Sequence, residues 1–183
     1  MRKTTSRAEI EKLDSGITTM VENALVHADS LRFSRICRLN DLATIRNQIY
    51  PGLYFIEVRV NLARHKTVRE WANWFQDRWD NDEPRGHFTP GIKAGRVARH
   101  DRLSEWMPFY LGIRKTTVKE RVMQHITLPA KANTGGLKLA SRKNVKLSEF
   151  RLSTIQLKLQ AYDSIMPIIE RAMRRKLHPI AGT

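Results

Sequence analysis

The alternation in residues 53–60 constrains the fold more than any other feature of the chain. Tyr54, Ile56, Val58 and Val60 fall on one face of an extended segment, and Phe55, Glu57 and Arg59 fall on the other. Pro51-Gly52 introduces that strand. A second strand-like run, Met107-Pro108-Phe109-Tyr110-Leu111-Gly112-Ile113, follows much later. Thr117-Val118-Lys119-Glu120 comes directly after it. This is a capping box, in which the threonine and glutamate side chains satisfy free amides at a helix start.

The rest of the chain is organised around these two runs. Ser6-Arg7-Ala8-Glu9 is another capping box, and Ile10, Leu13, Ile17, Met20, Ala24 and Leu25 then recur at helical spacing. A second helix is expected over 39–49, with Leu42, Ile45 and Ile49 inward, and no strand precedes Pro51. Thr67-Val68-Arg69-Glu70 opens a helix with Val68, Trp71, Trp74 and Phe75 on one side, ended by 80–86. The stretch from there to Glu105 reads as loop, as does 129–136. Leu137, Leu139 and the alternating run 150–157 offer further strands. A last helix starts near Ser164, because Pro167 suits only a first turn, and Pro179 stops it.

Lys and Arg outnumber Asp and Glu by 33 to 18, a formal charge of +15. That excess favours a polyanionic partner, above all nucleic acid. Cys37 is the only cysteine, so no intramolecular disulfide forms and a reducing, cytoplasmic setting is expected. No apolar run approaches the ~20 residues that span a bilayer. There is no CxxC zinc spacing and no Walker-type phosphate loop.

Arg121 and His125 lie four apart on the helix after Tyr110, beside the apolar stripe Val118, Val122 and Ile126. Arginine clamps phosphate through two parallel hydrogen bonds, and histidine moves protons near neutral pH. Taken singly, both read as ordinary surface charge. Glu170 is the one acid among Arg171, Arg174, Arg175 and Lys176. Alone it reads as an i, i+4 ion pair with Arg174, worth ~0.3–0.5 kcal/mol. Its functional reading is a hard oxygen ligand for Mg²⁺. Tyr54 and Tyr110 read singly as core aromatics of strands.

In order, Gly52-Leu53-Tyr54, Tyr110-Leu111-Gly112, Arg121, His125 and Glu170 resemble the GIY-YIG nuclease superfamily. The resemblance covers 51–58 and 107 to the C-terminus, and is closest to the small type II restriction endonucleases. It implies an α+β fold: a small antiparallel or mixed sheet flanked by helices, as one nuclease domain over 1–183. Residues 1–50 would form an N-terminal helical arm, and 61–106 an insertion carrying a helix within the core.

The function implied is a metal-dependent DNA endonuclease, most like a sequence-specific type II restriction enzyme. Glu170 would hold Mg²⁺ or Mn²⁺, which polarises the phosphate. Tyr54 would take the proton of the attacking water or orient that water, with Arg121 favouring the phenolate. His125 would assist or replace it as base. Tyr110 would position the scissile phosphate, and Arg121 would balance charge on the phosphorane. All five are expected on one concave basic surface. Lys115, Lys119, Lys138, Arg142 and Lys143 are the candidate contacts to double-stranded DNA. A homodimer would match a palindromic site. Gly182 stands where many members of the family have asparagine. A repair or mobile-element nuclease, and a non-catalytic nucleic-acid-binding protein on the same scaffold, remain as alternatives.

Overall fold

The first capping box closes as its sequence demands. Glu9 N–H donates to Ser6 Oγ at 3.3 Å, and Ser6 N–H donates to Glu9 Oε2 at 2.7 Å. The helix α1 (Arg7–Ser30) grows from it. The computed structural model describes residues 6–81 and 90–182. Next come β1 (Ser34–Arg38), α2 (Leu42–Arg46), β2 (Gly52–Arg59), α3 (Val68–Asp80) and α4 (Ala94–Val97). The chain continues with β3 (Trp106–Arg114), α5 (Val118–Thr127), β4 (Phe150–Gln156) and α6 (Tyr162–Leu177). Short 3-10 turns cover Leu139–Ser141 and Leu147–Glu149.

The fold is α+β. Its four strands form one antiparallel sheet in the order β1-β4-β2-β3. β2 is central and buried along nearly its whole length, which is why it shows the strongest strand pattern. The period-two alternation sorts its side chains into two layers. Tyr54, Ile56 and Val58 face α3 and α5, packing with Trp71, Phe75, Val118, Val122 and Ile126. Leu53 and Phe55 face the other way, with Leu111 of β3, Ala28 of α1, and Met166, Ile169 and Met173 of α6. Gly52 opens β2 at φ +152°, where a Cβ would stand 2.0 Å from the Ile155 carbonyl oxygen, so this crossing requires glycine.

Several expectations are corrected. A strand does precede Pro51: β1 is an edge strand with exposed Arg35 and Arg38, so it lacks apolar alternation. The helix expected over 39–49 shrinks to five residues, and Ile49 is exposed. The backbone after it is engaged elsewhere, with the Tyr50 and Gln48 carbonyls accepting from the Val118 and Lys119 amides at the start of α5. Leu137 and Leu139 are buried without forming a strand. The helix α6 begins two residues before Ser164, so Pro167 sits inside it rather than in its first turn. The loop expected before Glu105 contains α4. The stop expected at 80–86 falls mostly outside the described residues.

The segment between the tyrosine strands is not a peripheral decoration. Trp71 and Phe75 are fully buried, and Phe75 and Trp79 meet Phe109 of β3 edge-on at 5.7 and 5.0 Å. The helix α3 is thus a wall of the main core. Among the described residues no helix is long and apolar enough to cross a membrane.

Candidate functional site

Tyr54 points from β2 across its partner strand. It is paired with Gly112 of β3, and a Cβ on Gly112 would stand 2.3 Å from the Tyr54 hydroxyl. The glycine of Tyr110-Leu111-Gly112 therefore makes the room in which the phenol lies. There the hydroxyl meets His125 Nε2 at 2.9 Å. On the other side of the imidazole, the Leu137 N–H donates to Nδ1 at 3.1 Å. Nδ1 is an acceptor, so the ring proton belongs on Nε2, and His125 donates to Tyr54.

Tyr110 completes the cluster. Its ring is stacked with Tyr54 at 6.1 Å and T-shaped to His125 at 4.7 Å. Arg121, one turn before His125 on α5, interacts with the Tyr54 hydroxyl as well. Its Nη1 donates to Gln124 Oε1 and to the Gly135 carbonyl, both at 2.9 Å. Four residues that the sequence singles out, from two strands and a helix, thus meet.

The electrostatics of the cluster follow from burial. Tyr54 is 1% exposed. Burial, then the neighbouring Tyr110, push its pKa well above that of a free phenol, against the opposing pull of Arg121. The expected phenolate is therefore corrected: Tyr54 is a neutral phenol. His125 is fully buried, and burial followed by the Arg121 charge lowers its pKa to about 3. It is neutral imidazole across the physiological range, held between two hydrogen bonds and shut off from solvent. Tyr110 and Arg121 are half-buried and form the accessible part of the cluster.

The helix of Glu170, α6, packs on the side of the sheet opposite α5. The Glu170 carboxylate itself is held at the rim of β3 through Arg174, whose guanidinium also lies beside Gly182, next to Tyr110. Which side a helix covers depends on the connection from β4, which spacing along the chain does not encode. Arg174 Nη2 donates to Glu170 Oε1 at 2.7 Å, and Arg174 Nε donates to the same oxygen at 3.2 Å. Arg174 Nη2 also donates to the Leu111 carbonyl at 2.9 Å. The ion pair that the helical spacing offers is thus formed and tied to the rim of β3.

Gly182 links the two sides. It lies at φ +106°, and a Cβ there would stand 3.2 Å from Tyr110 Cε2 and 3.4 Å from Arg174 Nη1. Any larger residue, asparagine included, would be strained in backbone and crowded by both neighbours. As a metal ligand, Glu170 offers a single carboxylate. That number suits a hydrated Mg²⁺ that takes its remaining ligands from phosphate and water. The Arg174 charge on Oε1 opposes it. Among the described residues no group of three His, Cys, Asp or Glu could hold an ion.

The candidate DNA contacts divide in two. Lys138 is buried, and its Nζ donates to the Ala130 and Ala132 carbonyls at 2.9 and 2.8 Å. Arg142 is also buried. It donates to the Leu137 and Trp79 carbonyls and lies over the Trp79 ring at 3.3 Å. Both are corrected from nucleic-acid contacts to internal clamps: Lys138 folds the segment back on its own 130–132 backbone, and Arg142 fixes it to Trp79 of α3. Lys115 is exposed and paired with Asp163, Lys119 is half-buried, and Lys143 is exposed.

The sequence reading missed three participants: the Leu137 amide, the space-making role of Gly112, and the Arg174 bridge to β3. Only Gly112 left a signal, as the glycine two residues past a strand tyrosine. Two cavities, about 420 and 540 Å³, lie away from the cluster, between α3 and α4 and beside Trp74. Comparison of the chain with protein-family models, with curated proteins and with solved structures finds no match.

Proposed function

We propose that the chain is a divalent-metal-dependent endodeoxyribonuclease of GIY-YIG type that cuts double-stranded DNA as a sequence-specific restriction enzyme. The observation that carries this reading is the meeting of Tyr54, Tyr110, Arg121 and His125, whose order along the chain gives no other reason to converge. The roles divide by exposure. Arg121 and Tyr110 contact the scissile phosphate, the guanidinium taking up charge as water attacks phosphorus and loses its proton to solvent, while the bond to the leaving oxygen breaks and that oxygen takes a proton from solvent. Tyr54 and His125 are positioning groups: His125 donates to Tyr54, which orients Tyr110. Burial of both supports this role over proton transfer, since neither changes charge near neutral pH. Glu170 would hold Mg²⁺ or Mn²⁺, which supplies charge stabilisation to the phosphate when bound. Its first requirement is release from Arg174.

The Arg174–Glu170 bond favours a second reading, a non-catalytic nucleic-acid-binding protein on the same scaffold. The two separate on plasmid and linear DNA incubated with Mg²⁺ or Mn²⁺, with and without EDTA. The nuclease reading expects discrete, metal-dependent products that Glu170→Gln abolishes while DNA binding survives. Salt-sensitive binding with no hydrolysis of any DNA by the wild type would leave the binding module.

A further inference from the structure

The cavity of about 540 Å³ beside Trp74 lies where the end of β2, the approach to β3 and the middle of α3 meet. Its size falls within the range of small-molecule sites. Val60 and Leu62 supply apolar wall, and the Trp74 indole supplies a flat one. That indole is held in place. The buried His65 ring packs on it at 4.7 Å, and the Arg64 and Arg78 guanidiniums lie over it at 4.9 and 4.6 Å. Arg78 is fixed in turn by Glu149 at 3.2 Å. Fixed indole and guanidinium planes are the surfaces on which a heteroaromatic ring stacks.

The rim selects the ring. Arg59 and Glu105 stand there with side chains 52% and 56% exposed, and Arg59 Nε is 3.5 Å from Glu105 Oε1. This is longer than a good hydrogen bond, and an exposed pair of this kind contributes little, so opening it costs little. The two side chains stay neighbours because the Val60 N–H donates to the Glu105 carbonyl at 2.8 Å. Guanine carries two acceptors, O6 and N7, on one edge and two donors, N1–H and N2–H, on the adjoining edge. The Arg59 fork matches the first edge and the Glu105 carboxylate matches the second. One loose contact is thus exchanged for up to four hydrogen bonds. No other common base sets a two-acceptor edge beside a two-donor edge.

We propose that this cavity binds a guanine base, stacked on the Trp74 wall and read by Arg59 and Glu105. The base belongs to a free guanine nucleotide or to an unpaired guanine in a nucleic acid, and the site stands apart from the nuclease reading. Titration of the whole chain with guanosine tests it, followed through the Trp74 indole N–H resonance. Guanosine carries no phosphate for the +15 charge of the chain to attract. A saturable shift of that resonance is expected. Inosine, which lacks only the N2 amino group, is expected to bind ~10-fold more weakly. Glu105→Ala is expected to weaken guanosine ~10-fold and to erase its advantage over inosine, with the fold intact because this side chain is exposed. Trp74→Leu is expected to weaken both nucleosides ~10-fold or more. A thymidine strand with one central guanine that displaces guanosine, where an all-thymidine strand does not, assigns the base to a nucleic acid. Guanosine binding that neither strand disturbs assigns it to a free nucleotide. No response of the Trp74 resonance to guanosine, or equal binding of guanosine, inosine and adenosine, overturns the proposal.

Discussion

His125 makes the stability of the fold depend on pH in a direction that can be worked out. In the unfolded chain an imidazole binds its proton with a pKa of about 6.5, whereas burial beside Arg121 lowers the folded value to about 3. Between those values the unfolded state holds one proton more than the folded state. Unfolding free energy therefore rises with pH across this window and falls on acidification. Its slope is about 1.4 kcal/mol per pH unit, so the His125 contribution present above 6.5 shrinks by about 2 kcal/mol by about pH 5. Other titrating groups act on the wild type and the variant alike, and a difference between them isolates this one. His125→Gln keeps a donor and an acceptor but does not titrate. Urea unfolding of both proteins at about pH 7.5 and about pH 5 is the assay. The wild type should be the more stable at the higher pH, and its advantage should narrow by about 2 kcal/mol at the lower. An advantage that stays constant would mean that His125 titrates freely in the folded state, and the sealed imidazole with its Tyr54 and Leu137 bonds would be wrong.

Three further outcomes follow from the geometry. Gly112→Ala should cost about 1–3 kcal/mol by overpacking against the Tyr54 hydroxyl, and much less in a Tyr54→Ala background, as read by thermal unfolding of the four proteins of the cycle. If the chain cuts DNA as proposed, Arg121→Ala should slow single-turnover cleavage ~100–1000-fold with a small loss of affinity. Lys143→Ala should instead lower affinity and the salt slope while sparing the saturated rate; the same pattern for both would remove Arg121 from the chemistry. Arg151 donates to both carboxylate oxygens of Glu57 at 2.6 and 2.8 Å, with the two side chains 14% and 12% exposed, so Glu57→Ala should cost about 3 kcal/mol by denaturant unfolding, and a neutral result would show the pair to be solvated.

The layered fold was legible wherever one residue type had to face one way. β2 alternates because it is central, and α3 and α5 announce themselves through threonine caps followed by apolar stripes. β1 was not legible, because Ser34-Arg35-Ile36-Cys37-Arg38 is an edge with little to bury. In the site, the order of the two tyrosines, Arg121 and His125 foretold their meeting. It did not foretell that Tyr54 and His125 would be sealed, because burial depends on the Gly135–Leu137 segment folding over them from outside the motif. Lys138 and Arg142 misled for a related reason. A basic residue reads as solvated unless the carbonyls that receive it are known, and theirs come from Ala130, Ala132, Leu137 and Trp79.

The strand order also governs how the chain reaches this state. Ser34 pairs with Thr154 and Arg38 with Arg151, so β1 has no strand to join until nearly the whole chain has been gathered around β4. Contacts of that sequence separation form slowly, because loop closure must come before any pairing is gained. In the interval β4 presents an uncovered edge, open to strands of other molecules. The helix α1 is joined to the late strand through only three residues, Leu31, Arg32 and Phe33, and is released and captured along with it. The edge strand and the helix before it thus settle as one unit, and the sheet stays open on its β4 side until the chain's last third has been placed.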